Sequence, residues 1–535
     1  MFGLFEDGLL LPQAIALPFL GSVLALVATS ILFVFAVDYH HGWKRRRFLG
    51  NIPLMDDSSY FSPRLRLWGS GHNYVEGFAR GYTEYSKKGK PWAVPLPGGS
   101  GDMIVLPYHC GKEFFNLPKD NLSMRHMMSD EINFNHILDA AWKIPVEAMQ
   151  ACNKPSTLKK LDPLIMTEAE NSIRQFMGSS KSWNEDSIFN ISLQVLVDIG
   201  VLLVFHPGFG RDVGLAKQMG DYVGQVEGRT HLYESMPRIM GPLLELFAPE
   251  CHQIRSAMKS MKKTIMPELR RLIKQKRESS PTHDDQFYAS SMVELALKKG
   301  PLSRNGEVKD EEHHIDMMAD ETMFMFFEAV EPTIMILSTF IARLLLHREF
   351  LEPIRAELEE ALRLNDGKWS FDIFNYTPRF ESFSREVLRM DCINLVAGSR
   401  QVVKEPVTIK SLGMTFGPGT NLTTSGKFVH FDPEIYPDPT RFDGNRFYRP
   451  DLAAGDILHN TISPNEQWVS FGLGISSCPA RLLGTRLCQT MTAKILLGYN
   501  LELAHEDGKC PDFNVYVDAV GILNPEIKMR YKSRQ

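Results

Sequence analysis

The chain has 535 residues, of which 44% are hydrophobic and 23% are charged, and its net charge is −5. This composition is typical of a globular protein with a large core, and an acidic balance without an extended basic stripe argues against nucleic-acid binding. At roughly 150 residues per domain, the length alone would allow three or four domains. No linker-like or repetitive segment divides the chain after residue 50, so we predict one large domain.

The seven cysteines are scattered and odd in number, at positions 110, 152, 251, 392, 478, 488 and 510. They contain no Cys-x-x-Cys pair, so we expect neither a disulfide framework nor a zinc site, and the pattern is typical of a reducing compartment. Three Asn-x-Ser/Thr sequons occur, at Asn121, Asn190 and Asn421. We interpret them as chance matches if the main domain is cytosolic.

The first predicted element is a membrane anchor. Residues 14–36 are almost wholly apolar, which is about the length that crosses a bilayer as a helix. Acidic residues precede this segment and the basic run at 44–47 follows it, so its C-terminal side is expected in the cytoplasm. We predict a short lumenal segment at 1–13, the anchor at 14–36, a basic linker at 37–71 and a cytoplasmic catalytic body at 72–535. The alternative, a buried core helix, is disfavoured by the length and the flanks.

The body begins with an amphipathic helix predicted at 72–88. Two strand-like runs, 91–96 and 102–106, then surround a glycine-rich turn at 97–101. Most of residues 125–365 is helical in pattern, interrupted by a polar stretch at 278–312 that predicts an exposed loop or weak helices. Strand and turn signals return at 396–422. Because no alternating strand–helix series appears, a doubly wound fold is disfavoured, and we predict a mainly α body with small β-sheets, of the α+β class.

One long apolar helix, predicted from Asp316 to His347, is suited to crossing the core. It contains Pro332, which lacks the N–H that would bond to the carbonyl of Glu328 and therefore predicts a kink. Glu331 precedes this proline. An acid beside a helix break in an apolar helix is costly without a role, so we favour a functional Glu331 over one satisfied by a neighbour.

A glycine-rich loop ends in Cys478. Residues 471–481 read Phe-Gly-Leu-Gly-Ile-Ser-Ser-Cys-Pro-Ala-Arg, and a helix is predicted after them at 482–497. Pro479 fits the first helical position, which places Cys478 at the N-cap, where free backbone N–H groups of the first turn favour a thiolate. Such a thiolate is suited to ligating iron. From the loop alone, a buried structural cysteine is the alternative.

This loop resembles the haem-binding loop of the cytochrome P450 family. The positions that match the family pattern are Phe471, Gly472, Gly474 and Cys478. The resemblance implies haem b as the cofactor, with the Cys478 thiolate as the axial ligand of the iron. Two positions depart from the pattern. Ser476 stands where the family usually has a basic residue that contacts a haem propionate, and Ala480 stands where it usually has glycine.

Further motifs follow the order that the family uses. Glu386 and Arg389 form a Glu-x-x-Arg sequence on one helix face, and Arg446 resembles the second arginine of the family. The resemblance implies that these three residues form a buried, structural charge network. Arg400 aligns with a family arginine that contacts a haem propionate, and it becomes the better candidate because Ser476 carries no charge.

In the long helix, Ala329 and Glu331 match the small-residue and acid positions of the family, while Pro332 replaces its threonine. The resemblance implies that Glu331 relays protons during dioxygen activation, together with Thr333 if that residue faces the haem. Core packing accounts equally well for the three positions that helix phase and family position place in the substrate pocket: Met325, Phe327 and Leu395.

The arrangement is most similar to membrane-bound fungal members of the family that tailor secondary metabolites. This resemblance implies a haem-thiolate monooxygenase that oxidises a lipophilic small molecule, a terpenoid or a polyketide, with dioxygen and electrons from an NADPH–cytochrome P450 reductase. It also implies contact with membrane lipid and an anchor in the endoplasmic reticulum. Pro332 leaves two alternatives open: a haem-thiolate isomerase or dehydratase that does not activate dioxygen, and an inactive membrane-anchored haem-binding protein.

Overall fold

The computed structural model describes residues 13–55, 74–95, 102–124, 126–127, 143–206, 209, 213–235, 240–278, 287–299, 310–391, 394–451, 462–505, 511–517 and 520–534. Most of the predicted lumenal segment, the 56–71 part of the predicted linker and the predicted turn 97–101 lie outside the described residues.

The described helices are α1 (Gln13–Leu49), α2 (Tyr74–Glu84), α3 (Gly111–Phe115), α4 (Lys143–Cys152), α5 (Pro155–Met177), α6 (Ile188–Val204), α7 (Val213–Ser235), α8 (Gly241–Phe247), α9 (Pro249–Glu278), α10 (Tyr288–Lys299), α11 (Glu311–Leu346), α12 (Leu351–Leu364), α13 (Pro378–Met390), α14 (Lys427–His430) and α15 (Arg481–Gly498). The described strands are β1 (Trp92–Pro95), β2 (Asp102–Leu106), β3 (Leu122–Ser123), β4 (Asn184–Ser187), β5 (Val396–Val402), β6 (Val407–Ile409), β7 (Met414–Phe416), β8 (Asn421–Ser425), β9 (Tyr499–Leu503), β10 (Asn514–Val517), β11 (Val520–Leu523) and β12 (Lys528–Ser533).

The strands form small sheets at the margin of the helical body. The largest has the order β1-β2-β8-β5-β3, a second has the order β4-β12-β9, and two further pairs are β6-β7 and β10-β11. Strands β1 and β2 pair antiparallel, with Trp92 opposite Val105, as expected for the two runs around the predicted turn. Asn421, one of the sequon residues, lies in β8 and is only 2% exposed, so a glycan there is incompatible with the folded chain.

Helix α11 crosses the core and positions the site. It begins five residues before the predicted start, because Asp310 caps it by accepting the backbone N–H of His313 at 2.8 Å. Helix α6 packs closely against its middle. A Cβ atom on Gly200 of α6 would come 2.2 Å from Val330, so only glycine permits this approach. The helix is continuous from Glu311 to Leu346 with Pro332 inside it, and the predicted kink therefore does not divide it.

The polar stretch 278–312, for which the sequence predicts an exposed loop or weak helices, contains a helix with a buried face. Helix α10 lies within it, and an apolar face of this helix is buried at Tyr288, Ala289, Met292, Val293 and Ala296. These positions recur with helical periodicity, but the charged residues around them dominate the composition of the segment. Helix α10 packs against α4 and α9 rather than projecting into solvent.

Among the described residues, one helix is long and apolar enough to cross a membrane, and it is α11, whose most apolar window is 67% buried inside the protein. That burial makes α11 the core helix of the body. Helix α1 runs through the predicted anchor and continues beyond its predicted end to Leu49. It contains the shorter apolar stretch Ala28–Val37.

Candidate functional site

A tight loop before helix α15 presents Cys478. Gly472 and Gly474 have φ angles of +70° and +60°, which L side chains rarely adopt. A Cβ atom on Gly474 would also come 2.5 Å from the side-chain oxygen of Asn116. The backbone N–H of Cys478 donates to the carbonyl of Phe471 at 2.8 Å and closes the loop. The backbone therefore requires both glycines of the sequence pattern.

The Cys478 thiol lies beside two backbone N–H groups at the start of helix α15. Burial raises the pKa of this thiol, and hydrogen bonds from the N–H groups of Ala480 and Arg481 oppose the rise. The helix begins at Arg481 with Ala480 as its N-cap, so the prediction that Cys478 is the N-cap is wrong. Pro479 and Ala480 form a turn, and the N–H of Gly484 makes the first helical bond, to the carbonyl of Ala480. The sulfur nevertheless receives the predicted N–H donors.

The middle of helix α11 and Cys478 both retain accessible surface, from which we infer an internal cavity between them. Most of this helix is fully buried, yet a group of positions in its middle retains accessible surface: Phe327, Glu328, Ala329, Glu331 and Pro332. Because these residues lie at the centre of a core helix, their accessible surface faces an internal space. Cys478 is also partly accessible, and after burial the charge of Glu328 contributes to the rise in its pKa. Cys478 and Glu328 therefore border the same cavity.

Glu331 lies in this cavity near a second carboxyl group. Burial, together with the charge of Glu227 on helix α7, raises the pKa of Glu331 to about 8. Burial also raises the pKa of Glu227. At neutral pH the Glu331 carboxyl is therefore mostly protonated, and a protonated carboxyl can donate a hydrogen bond as well as accept one.

Thr333 directs its hydroxyl group to the backbone of its own helix. Its Oγ1 donates to the carbonyl of Ala329 at 2.6 Å, and the side chain is buried. Its own carbonyl accepts a weak bond from the thiol of Cys488 at 3.6 Å. Thr333 thus has an intrahelical partner, whereas Glu331 shows no hydrogen bond or ion pair within the described part of the chain.

Of the three predicted pocket residues, Phe327 is among the partly accessible positions of α11, while Met325 and Leu395 are 4% and 0% exposed and belong to the core. A groove of about 570 Å³ lies elsewhere, between helix α9 and the first half of α11. Its walls include Lys262, Asp316 and Asp320, and none of the predicted site residues lines it.

Glu386 binds two arginines in the interior. Glu386 and Arg389 are fully buried, and the guanidinium of Arg389 donates to both carboxylate oxygens, from Nε at 2.7 Å and from Nη2 at 2.9 Å. Arg446 donates from Nε to the same carboxylate at 3.1 Å, and its terminal N–H groups donate to the carbonyls of Pro437 and Arg441. The structure therefore brings the three predicted network residues together, and pairing of every charge makes their burial tolerable.

Two residues that the sequence did not reveal connect this network to the Cys478 loop. His430 shares one hydrogen bond with the carbonyl of Arg389 at 3.0 Å and a second with the backbone N–H of Val469 at 2.9 Å. Ser470 donates to the carbonyl of Leu388 at 2.8 Å. Neither residue belongs to a recognisable motif, because each acts on backbone atoms that are distant in the sequence.

Arg400 is a buried cation without an acidic partner among the described residues. It is 8% exposed, and burial lowers its pKa to about 10. One terminal nitrogen reaches the carbonyl of Ser476 at 3.5 Å, and the other has no hydrogen-bond partner in the described structure. Lys119 is close enough that, after burial, the positive charge of Arg400 lowers its pKa. Two neighbouring cations and the unpartnered hydroxyl of Ser476 form a site for an anionic group.

Residues 157–532 match the family model described as Cytochrome P450. The chain belongs to the cytochrome P450 family. The cytochrome P450 monooxygenase cpsD of Aspergillus campestris is 35% identical over 518 residues, which cover 96% of this chain and 93% of that protein. The bicoumarin synthase desC of Aspergillus desertorum is 26% identical over 521 residues, which cover 95% of this chain and 96% of that protein.

The solved structure of the retinoic acid bound cyanobacterial CYP120A1 superposes on this P450 with a TM-score of 0.60 at 16% identity, covering 90% of this chain and 99% of that chain. At this identity the likeness concerns the fold alone. Together the comparisons confirm four predictions from the sequence: the family, the helical P450 fold with small sheets, the class of enzyme and the haem b cofactor.

The residues present fit haem b held through a cysteine thiolate. Cys478 is the one described cysteine that is partly accessible, since the thiols at 110, 152, 251 and 488 are buried. Arg400 and the hydroxyl of Ser476 lack partners in the described structure, as groups that receive a haem propionate would. Lys119 is a further cation near Arg400. It could not be predicted, because it lies in a loop without a motif.

Proposed function

We propose that this P450 is a haem-thiolate monooxygenase that oxidises a lipophilic small molecule, a terpenoid or polyketide secondary metabolite. The observation that carries the proposal is the position of Cys478, whose sulfur borders an internal cavity and receives two backbone N–H groups. Haem held there supplies dioxygen chemistry. We infer that the electrons come from an NADPH–cytochrome P450 reductase, because the family match covers residues 157–532 and the sheets in the described part of the chain are not of the doubly wound, dinucleotide-binding type.

The chain provides three groups of residues for this activity. Cys478 ligates the iron, and the loop residues Phe471, Gly472 and Gly474 hold it in place. Arg400 binds a propionate. The network of Glu386, Arg389 and Arg446 stabilises helix α13 and the segment around Arg446. Its role is structural rather than catalytic.

Glu331 supplies protons to the cavity, because its carboxyl group is mostly neutral at pH 7 and borders that space. Thr333 would be its partner only where the Thr333 hydroxyl is free. The Thr333 hydroxyl is bonded to the carbonyl of Ala329, so a relay through it requires that this bond open during turnover.

The lipophilic substrate is supported by the cavity wall and by the relatives. Phe327 and Ala329 contribute apolar surface to the cavity. Relatives include a bicoumarin synthase. Oxidation of a flat, apolar ring system is consistent with that wall.

The proposed anchor at 14–36 places this P450 on the endoplasmic reticulum with a cytoplasmic body. Helix α1 exposes apolar side chains that include Leu32 and Phe33, which are 68% and 56% exposed. Helix α8 also exposes Leu246 and Phe247, at 61% and 72%. Apolar surface of this extent is typical of contact with lipid. Sedimentation of the full chain with microsomes, and its release on deletion of residues 1–49, would test the anchor.

A second function, isomerisation or dehydration of a peroxide, is favoured by one observation. Pro332 replaces the family threonine, and the next hydroxyl, that of Thr333, already has a partner. An inactive haem-binding protein is the third candidate. Reductase-dependent turnover indicates the monooxygenase, reductase-independent turnover of a hydroperoxide indicates the isomerase or dehydratase, and haem without either activity indicates the inactive protein.

The experiment has two stages. The reduced protein with carbon monoxide should show the strongly red-shifted Soret band of thiolate-ligated haem, which Cys478→Ala removes and Cys488→Ala retains. The protein should then oxidise its substrate only with NADPH and reductase. Turnover of a hydroperoxide without reductase would replace the monooxygenase with the isomerase or dehydratase, and a wild-type protein without the band would contradict all haem-thiolate functions.

A further inference from the structure

A groove of about 570 Å³ runs between helix α9 and the first half of helix α11. The residues of α9 that line it recur at every fourth position, so they form straight rows along the helix. The inner row faces α11, because Lys262 pairs with Asp316 of that helix at 2.8 Å and Arg270 pairs with Glu312. From Ile254 to Arg270 this row is about 24 Å long, at ~1.5 Å per residue.

The floor of the groove is apolar at the end that lies beside helix α8. Ile254 and Met258 line it there and are 1% and 8% exposed. Glu245 of α8 lines the same end and pairs with Arg255, the residue after Ile254, at 3.3 Å. The volume of the groove lies within the range of small-molecule sites, about 300–1,000 Å³. A floor one row wide accommodates a single alkyl chain.

The charges around the groove do not cancel. Lys259 and Lys263 line it, one turn apart on α9, and both are exposed. Neither forms an ion pair within the described part of the chain, because each acid in the walls pairs with another cation: Glu245 with Arg229 and Arg255, Glu312 with Arg270, and Asp316 and Asp320 with Lys262. Two ammonium groups therefore remain for an anionic group of a ligand.

We propose that this groove is a ligand site separate from the cavity at Cys478, and that it binds the anion of a fatty acid. The carboxylate lies between Lys259 and Lys263, and the alkyl chain lies over Met258 and Ile254 towards helix α8. The site goes beyond the proposed function, because none of the residues predicted for haem chemistry lines it.

The two ends of such a molecule match the two kinds of surface in the groove. A carboxylate makes charge-assisted hydrogen bonds to ammonium groups, and these are stronger than hydrogen bonds between neutral groups. The alkyl chain gains binding free energy from burial against the apolar floor, roughly in proportion to the area removed from water. The single row of floor residues favours one chain, as in a fatty acid, over the two chains of a phospholipid.

The test uses the haem-loaded full chain in phosphatidylcholine nanodiscs and a decanoic acid with a photoreactive diazirine at the end of its chain. Mass spectrometry locates the label after irradiation, and unlabelled decanoate or its neutral analogue decanamide competes for the site. The variants are Lys259→Gln, Lys263→Gln and the two together. Lys160→Gln, at an exposed lysine of α5 that does not line the groove, is the matched control. Substitution of exposed lysines leaves the fold intact.

We expect the label on α9 and on the first half of α11, and we expect decanoate to displace it at a concentration at least about tenfold lower than decanamide does. The double variant should raise the concentration of decanoate for half displacement by about tenfold or more, each single variant should raise it less, and Lys160→Gln should leave it unchanged. Any change that decanoate causes in the Soret band should be the same in all variants, because the haem cavity is a different site.

Equal displacement by decanoate and decanamide, an unchanged displacement curve in the double variant, or a label confined to peptides beside Cys478 would each overturn the proposal. Loss of the label in nanodiscs that contain phosphatidylserine would also overturn it, because the occupant would then be a phospholipid of the bilayer. The label is read without turnover, so the result does not depend on the monooxygenase reaction.

Discussion

The Nε2 atom of His430 accepts the backbone N–H of Val469 at 2.9 Å. Burial, followed by the charge of Arg389, lowers the pKa of His430 to about 3, so the ring stays neutral. A neutral ring that accepts at Nε2 must carry its proton at Nδ1, and this proton is donated to the carbonyl of Arg389. One imidazole thus joins the charge network to the start of the Cys478 loop.

Substitution of His430 should lower the stability of the Cys478 loop and the retention of haem. His430→Phe leaves a buried carbonyl and a buried N–H unpaired, which costs about 1–3 kcal/mol for each group. We expect a lower thermal midpoint and faster transfer of haem to apomyoglobin. His252→Phe, at an exposed histidine that bonds the carbonyl of Leu246, is the control and should change neither quantity.

Loss of one arginine from the buried charge network should destabilise the protein far more than loss of a surface ion pair. Arg389→Met leaves the fully buried Glu386 with one arginine instead of two, and breaking such a buried pair costs about 3–5 kcal/mol. The expected result is a large loss of holoprotein, measured by the ratio of Soret to protein absorbance. Asp451→Asn removes an exposed ion pair with Arg449 and should leave the yield of holoprotein at the wild-type value. Comparable losses in both variants would contradict the structural role of the network.

Arg400→Met should stabilise the apoprotein but accelerate the loss of haem from the holoprotein. Arg400 is a buried charge without an acidic partner in the described structure, and burial lowers its pKa to about 10. In the apoprotein, methionine removes this desolvation cost, so the free energy of unfolding should rise by about 1–3 kcal/mol. In the holoprotein it removes the propionate partner, so haem should dissociate faster.

The two measurements are urea unfolding of the apoprotein and haem transfer from the holoprotein. The apoprotein should become more stable, whereas the holoprotein should lose haem faster. A parallel loss in both would show that Arg400 is an ordinary structural residue. Lys410→Met is a suitable control, because Lys410 is an exposed residue outside this anion site.

The sequence predicted the elements that rest on local rules. Gly472 and Gly474 have positive φ angles, which explains glycine at these positions of the loop, and strand Asp102–Leu106 has the predicted bounds. Helix α15 begins at Arg481 rather than at Pro479, because a proline is equally suited to a turn and to the first turn of a helix. Residues such as His430 and Glu227 could not be predicted, because their partners are backbone or carboxyl groups on elements that only the tertiary fold brings near.

Thr333→Val tests whether the threonine takes part in proton supply. Its hydroxyl donates to the carbonyl of Ala329 within the helix, so valine removes only a local bond of about 0.5–1.5 kcal/mol. We expect the ratio of product formed to NADPH consumed to stay within about threefold of the wild type, whereas Glu331→Gln should reduce it by about tenfold to a hundredfold or more. Equal losses in the two variants would assign the relay to the pair rather than to Glu331.

Glu331 should make the stability of the holoprotein depend on pH. Its pKa is raised from 4.5 to about 8 in the folded protein, so between these values the folded state binds more protons than the unfolded state. The free energy of unfolding therefore falls as pH rises through this window, by at most about 1.4 kcal/mol per pH unit for one group. Glu331→Gln cannot lose a proton and lacks this decline.

The measurement is the difference in unfolding free energy between Glu331→Gln and the wild type from pH 5 to pH 9. The difference should grow in favour of the variant up to about pH 8 and then become constant. Other groups that titrate in this range, such as Asp320 with its pKa of about 7, are present in both proteins and cancel. A difference independent of pH would show that Glu331 is not a buried neutral acid, and its proposed role in proton supply would lose its physical basis.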